Sequence, residues 1–228
     1  MKGLLNYLLP YKYGTRQMLL NYLRGQYGPY LTENPTDEFD GFYKSLLSYA
    51  RPHVHEQTRA LDVGCATGRL VFEYAKMGAS CSTGTDSSRR FIDACNAIKN
   101  GTRKEVRYPV PSGSTRFLKD DICRTSLPSS SFEFVSCVNV VDRVSNPKLL
   151  IEVLENLLTA KGVMLLADPY DWEFSPAPKS LHTADMKSLL DAHVWNILEE
   201  IWIPFKVPIS KRSHREYSCH LLVAQKTR

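Results

Sequence analysis

Five apolar stretches of this chain end on residues able to bind a ligand or move a proton. Leu61-Asp62-Val63-Gly64-Cys65-Ala66-Thr67-Gly68 reads as a strand, a glycine-rich turn and a helix start, and the next apolar run ends on Asp86-Ser87. Glycines at 64 and 68 allow the backbone to approach a ligand closely, and a helix N-terminus offers it unpaired N–H groups. The middle glycine of G-x-G-x-x-G, which admits a pyrophosphate, is missing; Ala66 stands where a small residue suffices. Asp62, at the opening of the turn, repels phosphate and suits a cation, and Asp86 falls where a doubly wound sheet holds a ribose diol. Asp62, Gly64, Cys65, Ala66, Gly68, Asp86 and Ser87 therefore make a set for a cationic nucleoside rather than a dinucleotide.

The other three ends complete the chemistry. Asp120-Asp121-Ile122 suits an adenine, with Asp121 accepting from the exocyclic amine and Ile122 covering the ring face; the alternative is a loop carboxylate capping the next turn. Val138-Asn139-Val140-Val141-Asp142-Arg143 places three polar groups beside the first strand, where Asn139 would meet both ligands, and Arg143 is either a substrate contact or a structural partner of Asp142. Ala167-Asp168-Pro169-Tyr170-Asp171-Trp172 presents Tyr170 and Trp172 to a planar polar substrate, or is a proline-containing surface turn.

Such residues meet only if an open α/β sheet gathers the carboxyl ends of its strands. From Arg59 onward apolar runs alternate with helical stretches, the mark of βαβ units. Strands are expected near 59–63, 80–85, 115–118, 133–138, 162–167, 199–205 and 216–225, with helices over 68–77, 88–99, 146–158 and 184–193. The last two strands have only Pro208 to Arg215 between them and should pair antiparallel. The fold class is α/β: a seven-stranded, mostly parallel sheet with an antiparallel last strand and helices on both faces. Residues 101–114, with Pro109, Pro111 and Gly113, form a loop before the third strand. Residues 1–50 are read as an N-terminal helical cap and 51–228 as the ligand-binding domain. Within the cap, Leu4-Leu5-Asn6-Tyr7-Leu8 recurs as Leu19-Leu20-Asn21-Tyr22-Leu23, and tyrosines such as Tyr27 either line the substrate pocket or fill an interface.

Composition narrows the partners. The chain has 228 residues and a net charge of +5, dispersed except for Lys211-Arg212-Ser213-His214-Arg215, which argues against nucleic acid. Six cysteines at 65, 81, 95, 123, 137 and 219 show no C-x-x-C pair and no zinc spacing, so reduced thiols, no metal and a cytoplasmic location are expected. Pro10 and nearby tyrosines interrupt the leucines of the N-terminus, which reads as neither signal peptide nor membrane span.

The turn at 62–68 followed by Asp86 resembles motif I of the class I, Rossmann-like S-adenosylmethionine methyltransferases. That resemblance implies S-adenosyl-L-methionine as cofactor and S-adenosyl-L-homocysteine as product. Methyl transfer asks mainly for geometry, since proximity alone supplies up to ~7 to 11 kcal/mol. An imidazole, with pKa near ~6.5, needs orientation and a proton acceptor more than strong activation. Asp142 can accept the N–H of one ring nitrogen and leave the other as the attacking lone pair, while Asn139 holds the substrate's second edge. A phenol or amine would need a stronger base, and none stands out.

Asn139-Val140-Val141-Asp142-Arg143, Asp168-Pro169-Tyr170-Asp171-Trp172 and Ile203-Pro204-Phe205 through His214-Arg215-Glu216-Tyr217 resemble the C-terminal methyltransferase domain of the ovothiol-biosynthesis enzyme, a 4-mercaptohistidine N-methyltransferase. Leu19 to Gly28 is similar to that domain's start. The resemblance covers roughly residues 17–226. It implies methylation of an imidazole nitrogen on a small thiohistidine or histidine-like molecule. That enzyme begins with an iron-dependent sulfoxide synthase domain for which this chain has no room, and His53-Val54-His55 lacks the iron site's spacing. Asn-x-x-Asp-Arg is also similar to protein-histidine methyltransferases, so a protein or peptide histidine is the alternative acceptor. A catalytically silent binding protein of the same fold is the third reading.

Overall fold

The computed structural model describes residues 13–210 and 212–227. The first copy of the leucine-tyrosine repeat lies outside them. Helices α1 (Arg16–Tyr27) and α2 (Asp40–Ala50) come first, followed by β1 (Arg59–Val63), α3 (Arg69–Lys76), β2 (Cys81–Asp86), α4 (Arg89–Lys99) and β3 (Thr115–Lys119). β4 (Phe132–Val138), α5 (Pro147–Leu157), β5 (Leu158–Asp168), β6 (Trp195–Pro208) and β7 (His214–Lys226) complete the chain. The seven strands form one sheet in the order β3-β2-β1-β4-β5-β7-β6. β7 runs antiparallel to both its neighbours, and the other pairings are parallel. This is the seven-stranded α/β sheet expected from the alternation of runs, and the Rossmann-like architecture that the resemblance to class I methyltransferases implies.

Period-two alternation decides which side chains go to which face. In β5, Met164 and Leu166 join Val135, Leu150, Leu154 and Leu222 on one face, while Val163, Leu165 and Ala167 join Phe42, Leu46, Tyr74 and Leu221 on the other. Full burial of each such leucine contributes about 1.5 to 3 kcal/mol. α5 is set by Asn146, whose side chain accepts the Leu149 N–H at 3.1 Å, and by Pro147 in the first turn. α1 packs its Leu19, Leu23 and Tyr27 onto Cys65, Ala66, Phe72 and Phe91, over the turn that follows β1.

The helix expected over 184–193 is not formed. Met186–Leu189 makes a short 3-10 turn instead. Local side chains take its backbone: Asp185 accepts the Lys187 N–H at 2.9 Å, Asp191 accepts the His193 N–H at 2.8 Å, and the Tyr170 hydroxyl accepts the Met186 N–H at 2.8 Å. The apolar spacing is satisfied without a helix, because Met186, Leu189 and Leu190 pack directly against the sheet core.

One buried cation joins the N-terminal helices to the sheet. Arg69, at the start of α3, donates from Nη1 to the Gln26 carbonyl at 2.6 Å and from Nε to Glu73 at 2.8 Å, and its Nη2 lies 3.3 Å from Asp40. The rings of Tyr30 and Tyr108 flank the guanidinium at 5.0 and 5.2 Å. Among the described residues no helix is long and apolar enough to cross a membrane.

Candidate active site

The tips of β1, β2, β4 and β5 lie side by side, so Asp62, Asp86, Asn139, Asp142 and Asp168 reach one region although they are far apart in sequence. The backbone is unusual there. Of the non-glycine residues with positive φ, Ala66 (48°), Asn139 (56°) and Tyr170 (57°) all follow these tips. Such conformations persist only where the surroundings enforce them, and they gather at functional sites.

The turn after β1 is closed against protein. Gly64 has φ 71°, and a Cβ there would stand 2.4 Å from Val140 Cγ2; at Gly68, φ 87°, it would stand 2.7 Å from the Phe117 ring. Both glycines are therefore demanded by the turn and its packing, where close approach to a ligand was the expectation. Cys65 donates its N–H to the Thr85 carbonyl at 2.9 Å, and Ala66 donates its N–H to Asp86 Oδ2 at 3.0 Å. These bonds lock the turn to the end of β2.

Asp62 is buried, and its Oδ1 accepts the Ser136 hydroxyl at 2.6 Å. Burial pushes its pKa up to about 7, against the pull of Ser136 and with a further push from Asp86. Asp86 is also raised, by burial first, while Tyr13 and the N–H groups of Ser88 and Ala66 hold it down. Ser87 is exposed beside it. An opposite charge placed beside Asp62 would favour its ionised form.

At the tip of β4, Asn139 donates its N–H to the Ala167 carbonyl at 2.7 Å and accepts from the Cys219 thiol at 3.6 Å. Asp142 is fully buried, and its Oδ2 accepts the Asp171 N–H at 3.0 Å. Its Oδ1 makes no hydrogen bond among the described residues; the Arg143 Nε lies 3.4 Å away as an ion-pair partner. Burial pushes Asp142 up to about 6, with Arg143 opposing and Asp171 assisting. Its neighbour Asp168, which accepts the Asp142 N–H at 3.2 Å, is driven far above the carboxylate range by burial and by Asp142.

Arg143 serves structure. It donates to the Asp171 carbonyl at 2.9 Å and to the Asp171 carboxylate at 3.1 Å, and Tyr217 donates to that carboxylate at 3.0 Å. Tyr170 and Trp172, read as substrate contacts, also have partners within the protein. The Tyr170 hydroxyl lies 2.5 Å from His220 Nδ1, while Trp172 donates to the Thr183 carbonyl at 2.9 Å and stacks on His182 at 4.5 Å. Both rings fasten the segment after β5 to the rest of the fold. Asp121 caps the next turn by accepting the Cys123 N–H at 3.3 Å, and Ile122 is buried in the core beside Val63 and Val141. This is the capping arrangement left open for that pair.

Tyr27 is fully buried, and its hydroxyl donates to the Thr67 carbonyl at 2.8 Å, so it braces the turn rather than lining a pocket. Tyr22, five residues earlier in α1, packs on Phe91 at 5.0 Å, and burial, then Asp86, with Asp142 also contributing against Arg143, raises its pKa to about 12. The repeat containing Tyr22 carried no sign of this. Helix phase distinguishes the two rings, and which phase faces the sheet is a tertiary choice. Among the described residues no group of three or more His, Cys, Asp or Glu is placed to hold a metal ion.

Comparison with known proteins agrees with the geometry. A solved S-adenosylmethionine-dependent methyltransferase from Methanosarcina mazei is 16% identical, covers 78% of this chain and 96% of its own, and superposes with a TM-score of 0.61. One from Mesorhizobium loti is 16% identical over 81% of this chain and 97% of its own, at 0.58. The [4+2]-cyclase SpnF is 16% identical over 91% of each chain, at 0.61. At such identities the likeness is one of fold, and the cyclase shows how far chemistry varies on it. No curated protein sequence matches the chain significantly. The family model described as a methyltransferase domain matches residues 54–203, which span β1 through most of β6. The chain therefore belongs to the methyltransferase domain family.

Proposed function

We propose that this protein methylates a ring nitrogen of a small imidazole, a thiohistidine or a histidine-like molecule, using S-adenosylmethionine. The observation that carries the reading is Asp142: a buried carboxylate at the tip of β4 with one oxygen free of hydrogen bonds and a pKa raised to about 6. A carboxylate in that range is matched to an imidazole near ~6.5, as a proton acceptor close to its partner's pKa should be.

The residues at the tips fit the cofactor. Asp86 would hold the ribose and Asp62 would face the cationic end; Asp121 caps the turn after β3 and Ile122 packs in the core, so neither is assigned to the adenine. The bound cofactor supplies an activated methyl group. The protein's part is to orient and to move one proton. As the ring lone pair forms its new N–C bond and the C–S bond breaks, positive charge grows on the imidazole. Asp142 Oδ1 accepts the N–H of the opposite nitrogen and neutralises that charge; to do so it must share the oxygen with Arg143 or displace it. The Asp171 N–H fixes the carboxylate plane throughout.

Two predictions follow from these assignments. Asp86→Ala weakens S-adenosylhomocysteine binding by about 1.5 to 3 kcal/mol, the worth of hydrogen bonds to a charged group. Titration calorimetry checks this, and wild-type affinity in the variant contradicts the ribose role. The second concerns pH. Only ionised Asp142 accepts a proton, and its pKa near 6 is raised, so activity is present above that value and lost as pH falls through it. The free imidazole titrates in the same direction, so log kcat/KM should fall with a slope of about two below pH 6. In Asp142→Asn the slope should be about one, the substrate's alone. A slope of two in the variant removes Asp142 from the proton path.

Methyl incorporation into free histidine, thiohistidine, carnosine and histidine-containing peptides tests the substrate. Transfer to the first two supports the proposal, and transfer confined to peptides points to a protein histidine. Absence of S-adenosylmethionine binding would leave a silent scaffold.

A further inference from the structure

Asp86 already carries three hydrogen bonds. Its Oδ2 accepts the Tyr13 hydroxyl at 2.7 Å and the Ala66 N–H at 3.0 Å, and its Oδ1 accepts the Ser88 N–H at 2.8 Å. A carboxylate has about four acceptor positions. A ribose diol brings two donors, and one position is open to it.

The three occupants are not equally held. The Ala66 N–H belongs to the turn after β1, which is pinned again by the bond from Cys65 to Thr85. Ser88 is the N-cap of α4, with its own hydroxyl accepting the Phe91 N–H at 3.4 Å. Neither leaves without opening the local fold. Tyr13 is carried by the chain ahead of α1 and remains 45% exposed, its ring resting edge-on against Phe91 at 5.1 Å. The next residue, Gly14, has φ 79°, and a Cβ there would stand 2.9 Å from Ser88 Oγ. Thr15 then starts α1 by accepting the Met18 N–H at 3.2 Å.

We infer that Tyr13 is a gate on the ribose site: its hydroxyl holds the Asp86 position that the second hydroxyl of the diol requires, and the nucleoside binds by displacing it. The inference rests on the reading of Asp86 as the ribose carboxylate. The exchange is one for one, a phenolic O–H···O⁻ bond for a ribose O–H···O⁻ bond. α1 need not move with Tyr13, because it is fastened separately through Gln26 to Arg69. There is space for the ring to move into: an open cleft of about 1100 Å³, lined by Tyr13, Gly14, Leu20, Ser87, Ser88 and Arg89, lies beside it. Tyr13 thus acts on affinity and specificity. It keeps Asp86 satisfied when no nucleoside is bound and makes two ribose hydroxyls, not one, the condition for displacement.

The test is calorimetric titration of the full chain with S-adenosylhomocysteine and with its 2′,3′-dideoxy analogue, in wild type, Tyr13→Phe and Asp86→Ala, with a thermal melt of each. Tyr13→Phe should bind S-adenosylhomocysteine roughly tenfold tighter, since it removes a competitor for a charged acceptor. The dideoxy analogue has no diol to compete, so its affinity should be the same in wild type and Tyr13→Phe. Unchanged or weaker binding of S-adenosylhomocysteine by Tyr13→Phe, with Asp86→Ala clearly weakened, overturns the gate and leaves the ribose assignment standing. Equal tightening of both ligands overturns it as well, by tracing the effect to loop packing. If Asp86→Ala binds S-adenosylhomocysteine as wild type does, the ribose assignment fails and the gate with it.

Discussion

Asp142→Asn lowers turnover on the imidazole acceptor by about 10² to 10⁴, the usual contribution of a positioned proton acceptor, with S-adenosylhomocysteine affinity unaltered. The substitution is close to isosteric. The side-chain oxygen of Asn can still accept the Asp171 N–H, now 3.0 Å from Oδ2, so the Asp142–Asp171 contact survives. What disappears is basicity at the buried oxygen that makes no hydrogen bond among the described residues. Removing this charge relieves Asp168, whose pKa Asp142 helps to raise, and costs one of the two ion pairs of Arg143, which keeps Asp171 at 3.1 Å, so the effect on folding should be small. Steady-state kinetics with the accepting imidazole, together with a melt and a calorimetric titration, separate the roles. A fall in kcat with intact cofactor binding is the expected signature; an undiminished kcat would exclude Asp142 from the mechanism, and a parallel loss of melting temperature would make it a structural residue.

Arg69→Ala should destabilise the fold by about 3 kcal/mol, the low end for breaking a buried ion pair, because Asp40 and Glu73 lose their buried cation and keep only the outer lysines Lys44, at 3.0 Å, and Lys76, at 3.8 Å. The Arg69 side chain is 4% exposed, with Asp40 at 8% and Glu73 at 15%. The Gln26 carbonyl loses its donor too, and the flanking tyrosines lose their cation. For a chain of this length the melting temperature should drop by roughly 10 °C. Arg69→Lys should recover little, since an ammonium cannot address Gln26, Asp40 and Glu73 from one planar fork. A denaturation midpoint within experimental error of wild type would show that α1 and α2 are held by their apolar faces alone.

The sheet was legible because each strand announces itself over a few consecutive residues. Leu61 and Val63 against Ala60 and Asp62, and Met164 and Leu166 against Val163 and Leu165, obey the period of a pleated strand, and the tips follow by counting. The helix expected at 184–193 misled for the converse reason: its apolar spacing was real, yet Asp185 and Asp191 bound the backbone locally, and Tyr170 took the Met186 N–H from a distance. Tyr170 and Trp172 illustrate a second limit. An aromatic pair after a strand tip does not reveal in sequence its protein partners, here His220 and the Thr183 carbonyl.

Local composition and spacing thus determined, without coordinates, the parallel α/β architecture, the antiparallel final strand and the carboxylates that close β1, β2 and β4. Those features depend on interactions between near neighbours in the chain, where period and turn chemistry act. The tertiary structure alone decided the state of each carboxylate: which oxygen has an ion-pair partner but no hydrogen bond, as Asp142 Oδ1 has, and which is already hydrogen-bonded, as Asp86 is by a tyrosine 73 residues away. It alone bound Tyr27 to the Thr67 carbonyl and set Arg69 among three acceptors. Desolvation and long-range hydrogen bonding arise only when distant segments exclude water together, and no stretch of sequence carries that information by itself.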